Sequence, residues 1–167
     1  SFGRYPYDAR TAVYLAQVLS LAPPGVTVDS GLLTSALERS LRLSPKRSQP
    51  WNILATLSIS DANNYPARSA ERIAGYAAAR DILSRYIALV PELSEPYFVL
   101  AQLDFATGNE AAAAEDAEKG KAVYRGDIKT ARRAAGYYIT VSDFGNAALF
   151  LLDIVREAPD DTASAYD

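Results

Sequence analysis

The sequence predicts an all-α protein built as a stack of about four helical hairpins, about eight helices in all. Three observations carry this. Ser48-Gln-Pro-Trp-Asn-Ile-Leu-Ala-Thr-Leu57 returns as Ser94-Glu-Pro-Tyr-Phe-Val-Leu-Ala-Gln-Leu103, 46 residues later (94 − 48) and with five positions identical. The prolines that precede the two copies, Pro45 and Pro91, are also 46 apart, and Pro159 follows Pro91 by 68, twice 34. Finally, apolar residues recur at the 3.6-residue period and nowhere in convincing two-residue alternation. A fixed internal period points to stacked supersecondary units rather than one enclosed globule.

Helix punctuation supports each element in turn. Asp29 and Ser30 can cap a helix whose stripe is Leu33, Leu37 and Leu41 and which ends at Ser44-Pro45. Ser48 and Ser94 are N-cap candidates, and Pro50 and Pro96 suit a first turn, where a missing N–H costs nothing. Leu100, Leu103, Ala106 and Thr107 complete one face before Gly108-Asn109 closes that helix and caps the next. An alanine-rich helix runs from Glu110 to about Tyr124. Ala131, Ala134, Ala135 and Tyr138, then Ala147, Ala148, Leu151 and Val155, mark the last pair.

Composition excludes several functions. The chain has no cysteine and no histidine, which removes thiol nucleophiles, disulfides, zinc sites of the usual kind and Ser-His-Asp arrangements. A formal net charge of −3 does not suit a nucleic-acid binder. No apolar run approaches the roughly 20 residues that span a bilayer. Without a signal peptide or an initiator methionine, the chain is expected to be a cut-out piece or a processed product, touching a membrane only through a missing part of its parent. Gly-rich phosphate loops and paired carboxylates in a cleft are also missing, so neither an enzyme nor a cofactor is expected.

Taken together, these residues resemble the tetratricopeptide repeat (TPR). Trp51, Leu54, Ala55, Ala79, Leu83 and Pro91 fit its pattern, with an insertion near 60–72; Tyr97, Leu100, Ala101, Gly108 and Ala113 fit again, with Arg125 where proline is expected. Ala135, Tyr138, Phe144, Ala147, Leu151 and Pro159 make a further repeat, and Leu15, Ala16 and Leu37 a looser first one. The resemblance implies a right-handed superhelical solenoid over residues 1–167 as a single domain, with repeats at about 8–45, 48–91, 94–125 and 128–159 and a tail at 160–167.

It also implies a concave groove lined by the first helix of each hairpin. The groove candidates are Gln17, Asn52, Thr56, Phe98, Gln102, Phe105, Lys129, Arg132 and Arg133, with Arg10 and Val13 beside them. Phe98 and Phe105 are seven apart, two turns on one face. They read either as a hydrophobic anchor for a peptide or as residues that the neighbouring repeat covers. Lys119, Lys121, Arg125, Lys129, Arg132 and Arg133 form the densest positive region and read either as a site for an acidic group or as a solvated face. Lys129 and Arg133 match the end of the carboxylate clamp of chaperone-binding TPRs, but Val13, Gln17 and Val99 stand where that clamp needs Lys or Asn.

The expected role is a non-catalytic scaffold that binds a protein or peptide segment, with self-association as a further expectation. Phe2-Gly3-Arg4, Ala36 to Ser40 and Leu43 to Arg47 resemble, in addition, TPR segments of bacterial O-antigen ligase or polymerase-type membrane proteins. That resemblance implies an accessory domain of a cell-envelope glycan enzyme.

Overall fold

The computed structural model describes residues 30–157, together with Tyr14. Among the described residues the secondary structure is all helical: α1 (Ser30–Leu43), α2 (Ser48–Asn63), α3 (Ala70–Leu89), α4 (Glu95–Ala106), α5 (Glu110–Val123), α6 (Ile128–Thr140) and α7 (Phe144–Glu157). This is seven helices rather than about eight; the opening half of the first expected pair falls on residues outside the described range. The chain divides into two compact units, Ser1–Val90 and Pro91–Asp167, the boundary falling where the second expected repeat ends.

In the first unit α2 and α3 form a hairpin, and α1 packs along α2. Leu33 and Leu37 of α1 meet Ile53, Leu54 and Leu57 of α2. Trp51 stacks on Tyr86 at 5.7 Å between centroids, and its indole N–H donates to the Pro45 carbonyl at 2.7 Å. The insertion is mostly helix. It lengthens α2 to 16 residues and α3 to 20, leaving only residues 64–69 as a connection. Arg72 holds that connection, donating to the Tyr65 carbonyl, the Asn63 side chain and the Tyr76 hydroxyl, while Ser69 caps α3 by accepting from the Arg72 amide.

The two helices touch most closely at Gly75, where a Cβ would stand 2.7 Å from the Cβ of Ala62. Only glycine fits a backbone that close.

In the second unit α4 pairs with α5, α6 pairs with α7, and α4 lies beside α6. The 34-residue period survives as geometry. After α4, Gly108 takes φ +85° and the Asn109 amide donates to the Asp104 carbonyl at 2.8 Å. After α6, Ser142 takes φ 61° and the Asp143 amide donates to the Tyr138 carbonyl, again at 2.8 Å. Both are left-handed C-terminal closures, with glycine in one and serine in the other. The core is built of alanines (Ala101, Ala113, Ala117, Ala131, Ala134, Ala135, Ala147) around Phe98, Tyr137, Tyr138 and Phe150.

The serine caps differ from expectation. Ser48 is the first helical residue of α2, and Arg47 precedes it without a side-chain cap. Ser94 flanks α4 but its hydroxyl donates across the hairpin to the Gly120 carbonyl at 2.5 Å, which leaves it no part in capping. A helical φ,ψ at Ser94 turns its side chain away from the first-turn amides. The aromatics of the two sequence copies behave alike: the Tyr97 hydroxyl donates to the Pro91 carbonyl at 3.2 Å, as Trp51 does to Pro45.

Gly75→Ala is expected to destabilise the protein by about 1–3 kcal/mol, because the added methyl meets Ala62 and the α2–α3 spacing must open. Urea unfolding of the two forms measures it. A pH dependence follows from the buried phenols. Burial, with Asp153 nearby, pushes Tyr124 up to about 12, and burial, with Glu118 nearby, raises Tyr138 and Tyr137 as well. The folded state therefore favours the neutral phenol. That contribution is whole below the ordinary value of 10.0 and is lost as pH climbs through the raised values. Thermal melts should show Tm falling from pH 10 upward, and less steeply in Tyr124→Phe.

Candidate interaction surface on helices α4 and α6

Because α4 and α6 open consecutive hairpins and lie side by side, residues one period apart meet across them. Glu95 at the start of α4 and Lys129 of α6 are 34 apart, and their side chains pair, with Nζ 2.8 Å from Oε1 and 3.1 Å from Oε2. Arg133, one turn further along α6, brings its Nε to 3.1 Å from the same Oε1. Two turns along α4 from Glu95, the Gln102 amide nitrogen donates to the Arg133 carbonyl at 3.3 Å. The surface is thus a carboxylate held between two cations, followed by an amide that ties the helices together. These three side chains together carry a net single positive charge, and the exposed Arg132 lies beside them.

The Glu95 side chain is only 15% exposed and that of Lys129 is 64% exposed. The carboxylate is therefore the partly desolvated member and the lysine remains within reach of solvent. Its charge is set against Glu95 without being removed from the surface.

Each candidate among the described residues has a definite place. Gln17 lies outside the described residues. Asn52, half-buried, and Thr56, exposed, sit one turn apart on α2 in the first unit. Gln102, Lys129 and Arg133 come together on α4 and α6, with Arg132 exposed beside them. Phe105 is half-buried against the alanine core.

Phe98 corrects the anchor reading. Its side chain is fully buried, edge-on to Tyr138 at 6.1 Å and to Phe150 at 5.5 Å. The seven-residue spacing to Phe105 does put both on one side of α4. That side turns inward because α4 is flanked by α5 and α6, so the neighbouring hairpin covers Phe98 completely and Phe105 in part. Phe98 is core and offers nothing to a ligand.

Glu95 is the residue that reasoning from sequence passed over. Its signal was present: it belongs to the repeated Ser-x-Pro string and stands one period before Lys129. In the first unit a cavity of about 400 Å3 is lined by Leu33, Thr34, Leu57, Ser58 and Asp61, among others, and it holds none of the candidate residues. Among the described residues no cluster of three acidic side chains is arranged to hold a metal ion, and no helix is long and apolar enough to cross a membrane.

Paired helices of 12 to 20 residues, joined by short turns and repeating in register, define a TPR-type fold. A crystal structure of MamA, a TPR-like helical-repeat protein, is similar over 97% of this chain and 85% of that one, with a TM-score of 0.56 and 17% identity. A second MamA crystal structure is similar over 99% of this chain and 80% of that one, with a TM-score of 0.54 and 17% identity. At that identity the likeness is one of fold. No protein-family model matches the chain, and no curated protein sequence does.

Glu95→Gln is expected to lower the stability of the second unit by about 1 kcal/mol, a modest value because Lys129 is largely in solvent. Chemical unfolding should show the difference shrinking in about 1 M salt, where screening weakens the pair in the parent protein.

Proposed function

We propose that the chain is a protein-interaction scaffold and that the α4–α6 surface receives a peptide or partner segment carrying an acidic group. At the level of the fold, a TPR-like repeat accords with a scaffold rather than an enzyme, since stacked hairpins present long surfaces instead of enclosed sites. The observation that carries the reading is the Glu95–Lys129–Arg133 cluster. It keeps two cations at fixed spacing, one of them largely exposed, and leaves the surface with a net positive charge beside Arg132.

An incoming carboxylate meets Lys129 and Arg132 without breaking the Arg133–Glu95 pair. Phe105 and Val99, both half-buried on α4, supply apolar contact, and the part once read into Phe98 passes to them. In the first unit, Asn52 and Thr56 of α2 form a polar surface of their own. In a membrane-embedded glycan enzyme the same surface would serve as an accessory domain, but no described residue specifically favours that setting.

The test uses acidic peptides and their amidated, charge-neutral counterparts, with binding followed by fluorescence anisotropy. The acidic set should bind more tightly, with affinity falling as salt rises from about 50 to about 300 mM. Lys129→Ser with Arg132→Ser should remove most of that preference, while Arg125→Ser should leave it. Equal binding of both peptide sets would reject the reading.

A further inference from the structure

Helix α7 is apolar on two adjoining sides, about a quarter-turn apart. One side, carrying Ala147, Phe150 and Ile154, packs into the core of the second unit. Beside it, turned away from the core, Phe144, Leu151 and Val155 are 67%, 44% and 47% exposed, and the exposed Ala148 completes the row. The spacings along this row are four, three and four, the pattern of a helix-pairing seam. Exposed Leu152 widens it. A continuous apolar stripe of this kind marks a contact surface.

The preceding hairpin shows what such a row does. One period earlier, Ala117, Glu118 and Lys121 of α5 stand in the places of Leu151, Leu152 and Val155, each 34 residues before its counterpart. Ala117 is buried in the core shared with α6 and α7. Glu118 accepts from the Tyr138 hydroxyl of α6 at 3.3 Å, and the Lys121 ammonium donates to the Asn146 side chain of α7 at 2.8 Å. These are the positions by which one hairpin receives the next. On α7 they are Leu, Leu and Val, and nothing among the described residues covers them. The interface made by α5 is therefore continued on α7 by a face suited to another helix, and in apolar form.

We propose that this face pairs with α7 of a second copy, the two helices running antiparallel about a two-fold axis. The row is complementary to itself in that arrangement alone. An axis midway between Ala148 and Leu151 sets Phe144 of each copy against Val155 of the other, and Ala148 against Leu151. Every layer then joins a large side chain to a smaller one. A parallel pairing would set phenyl on phenyl and alanine on alanine, leaving one layer crowded and one empty, with the helix dipoles aligned unfavourably. No charge has to be desolvated in the seam, since Asp153 and Arg156 lie off the row and pair within the helix at 3.7 Å. A two-fold contact uses the same patch on both chains and closes on itself.

The seam is short. Fourteen residues give a helix about 21 Å long, and such a contact buries less than a standard interface. The dimer is accordingly weak, with a dissociation constant on the order of 10 μM. This proposal concerns a different face from the α4–α6 surface and does not rest on peptide binding there.

Sedimentation equilibrium of the whole 167-residue chain, over about 5 to about 500 μM, tests it. The expected result is a monomer–dimer equilibrium with its midpoint in the tens of micromolar. Leu151→Glu and, separately, Ala148→Lys should each remain monomeric across the range with unchanged circular dichroism, since both positions are exposed. Mixed in equal amounts, the two variants should associate, because the antiparallel register sets the introduced glutamate against the introduced lysine. A parent chain that stays monomeric throughout, a dimer that survives Leu151→Glu, or variants that fail to associate on mixing would each overturn the proposal.

Discussion

Close approach between paired helices is the constraint on which the rest of the molecule depends. At Gly75 the backbone of α3 comes so near Ala62 that no side chain fits between them. At Gly120 a Cβ would stand 3.0 Å from the Cβ of Tyr97 and 3.1 Å from the Phe98 ring. The second unit extends the same solution through its alanines, which let α4, α5, α6 and α7 crowd together and leave a single central space. Phe98, Tyr138 and Phe150 fill it as mutually packed rings. Small residues at the contacts and large aromatics at the centre are two parts of one packing problem, since close-packed interiors tolerate neither gaps nor overlap.

That packing decides what remains for function. Phe98 is consumed by the core, so the surface that α4 and α6 share is mainly polar. Its character comes from an ion cluster in which the chain supplies its own acid. Glu95 sits where an acidic ligand group would otherwise settle between Lys129 and Arg133, and in doing so it both ties the two helices and moderates the positive field. In the proposed function, a partner acid would meet a surface already ordered, with less side-chain entropy left to lose.

The two ends of the repeat logic differ in chemistry. Between hairpins in the second unit, the receiving positions of α5 are small or polar and are satisfied by hydrogen bonds to α6 and α7. On α7 the equivalent positions are aliphatic and exposed. A face that gains nothing from water and has no polar partner to satisfy is stabilised by whatever apolar surface covers it.

Much of the architecture was legible in the residues themselves. The helix ends at Leu43, Ala106 and Val123, the 34-residue period and the hairpin pairing all follow from local chemistry: glycine in a left-handed closure, proline near helix ends, apolar positions at helical spacing. Even Ser142 keeps the closure that Gly108 makes, because the period carried the geometry through a change of residue. What tertiary structure alone decided was which face of each helix is covered. Spacing placed Phe98 and Phe105 on one side of α4, but only the arrival of α5, α6 and α7 made that side interior. Spacing likewise showed a basic cluster in α6 without showing that Glu95, a full period away in the chain, pairs with two of its members. Local sequence determines backbone conformation within a turn or two, whereas burial and pairing are properties of neighbours that the chain brings together only when it folds.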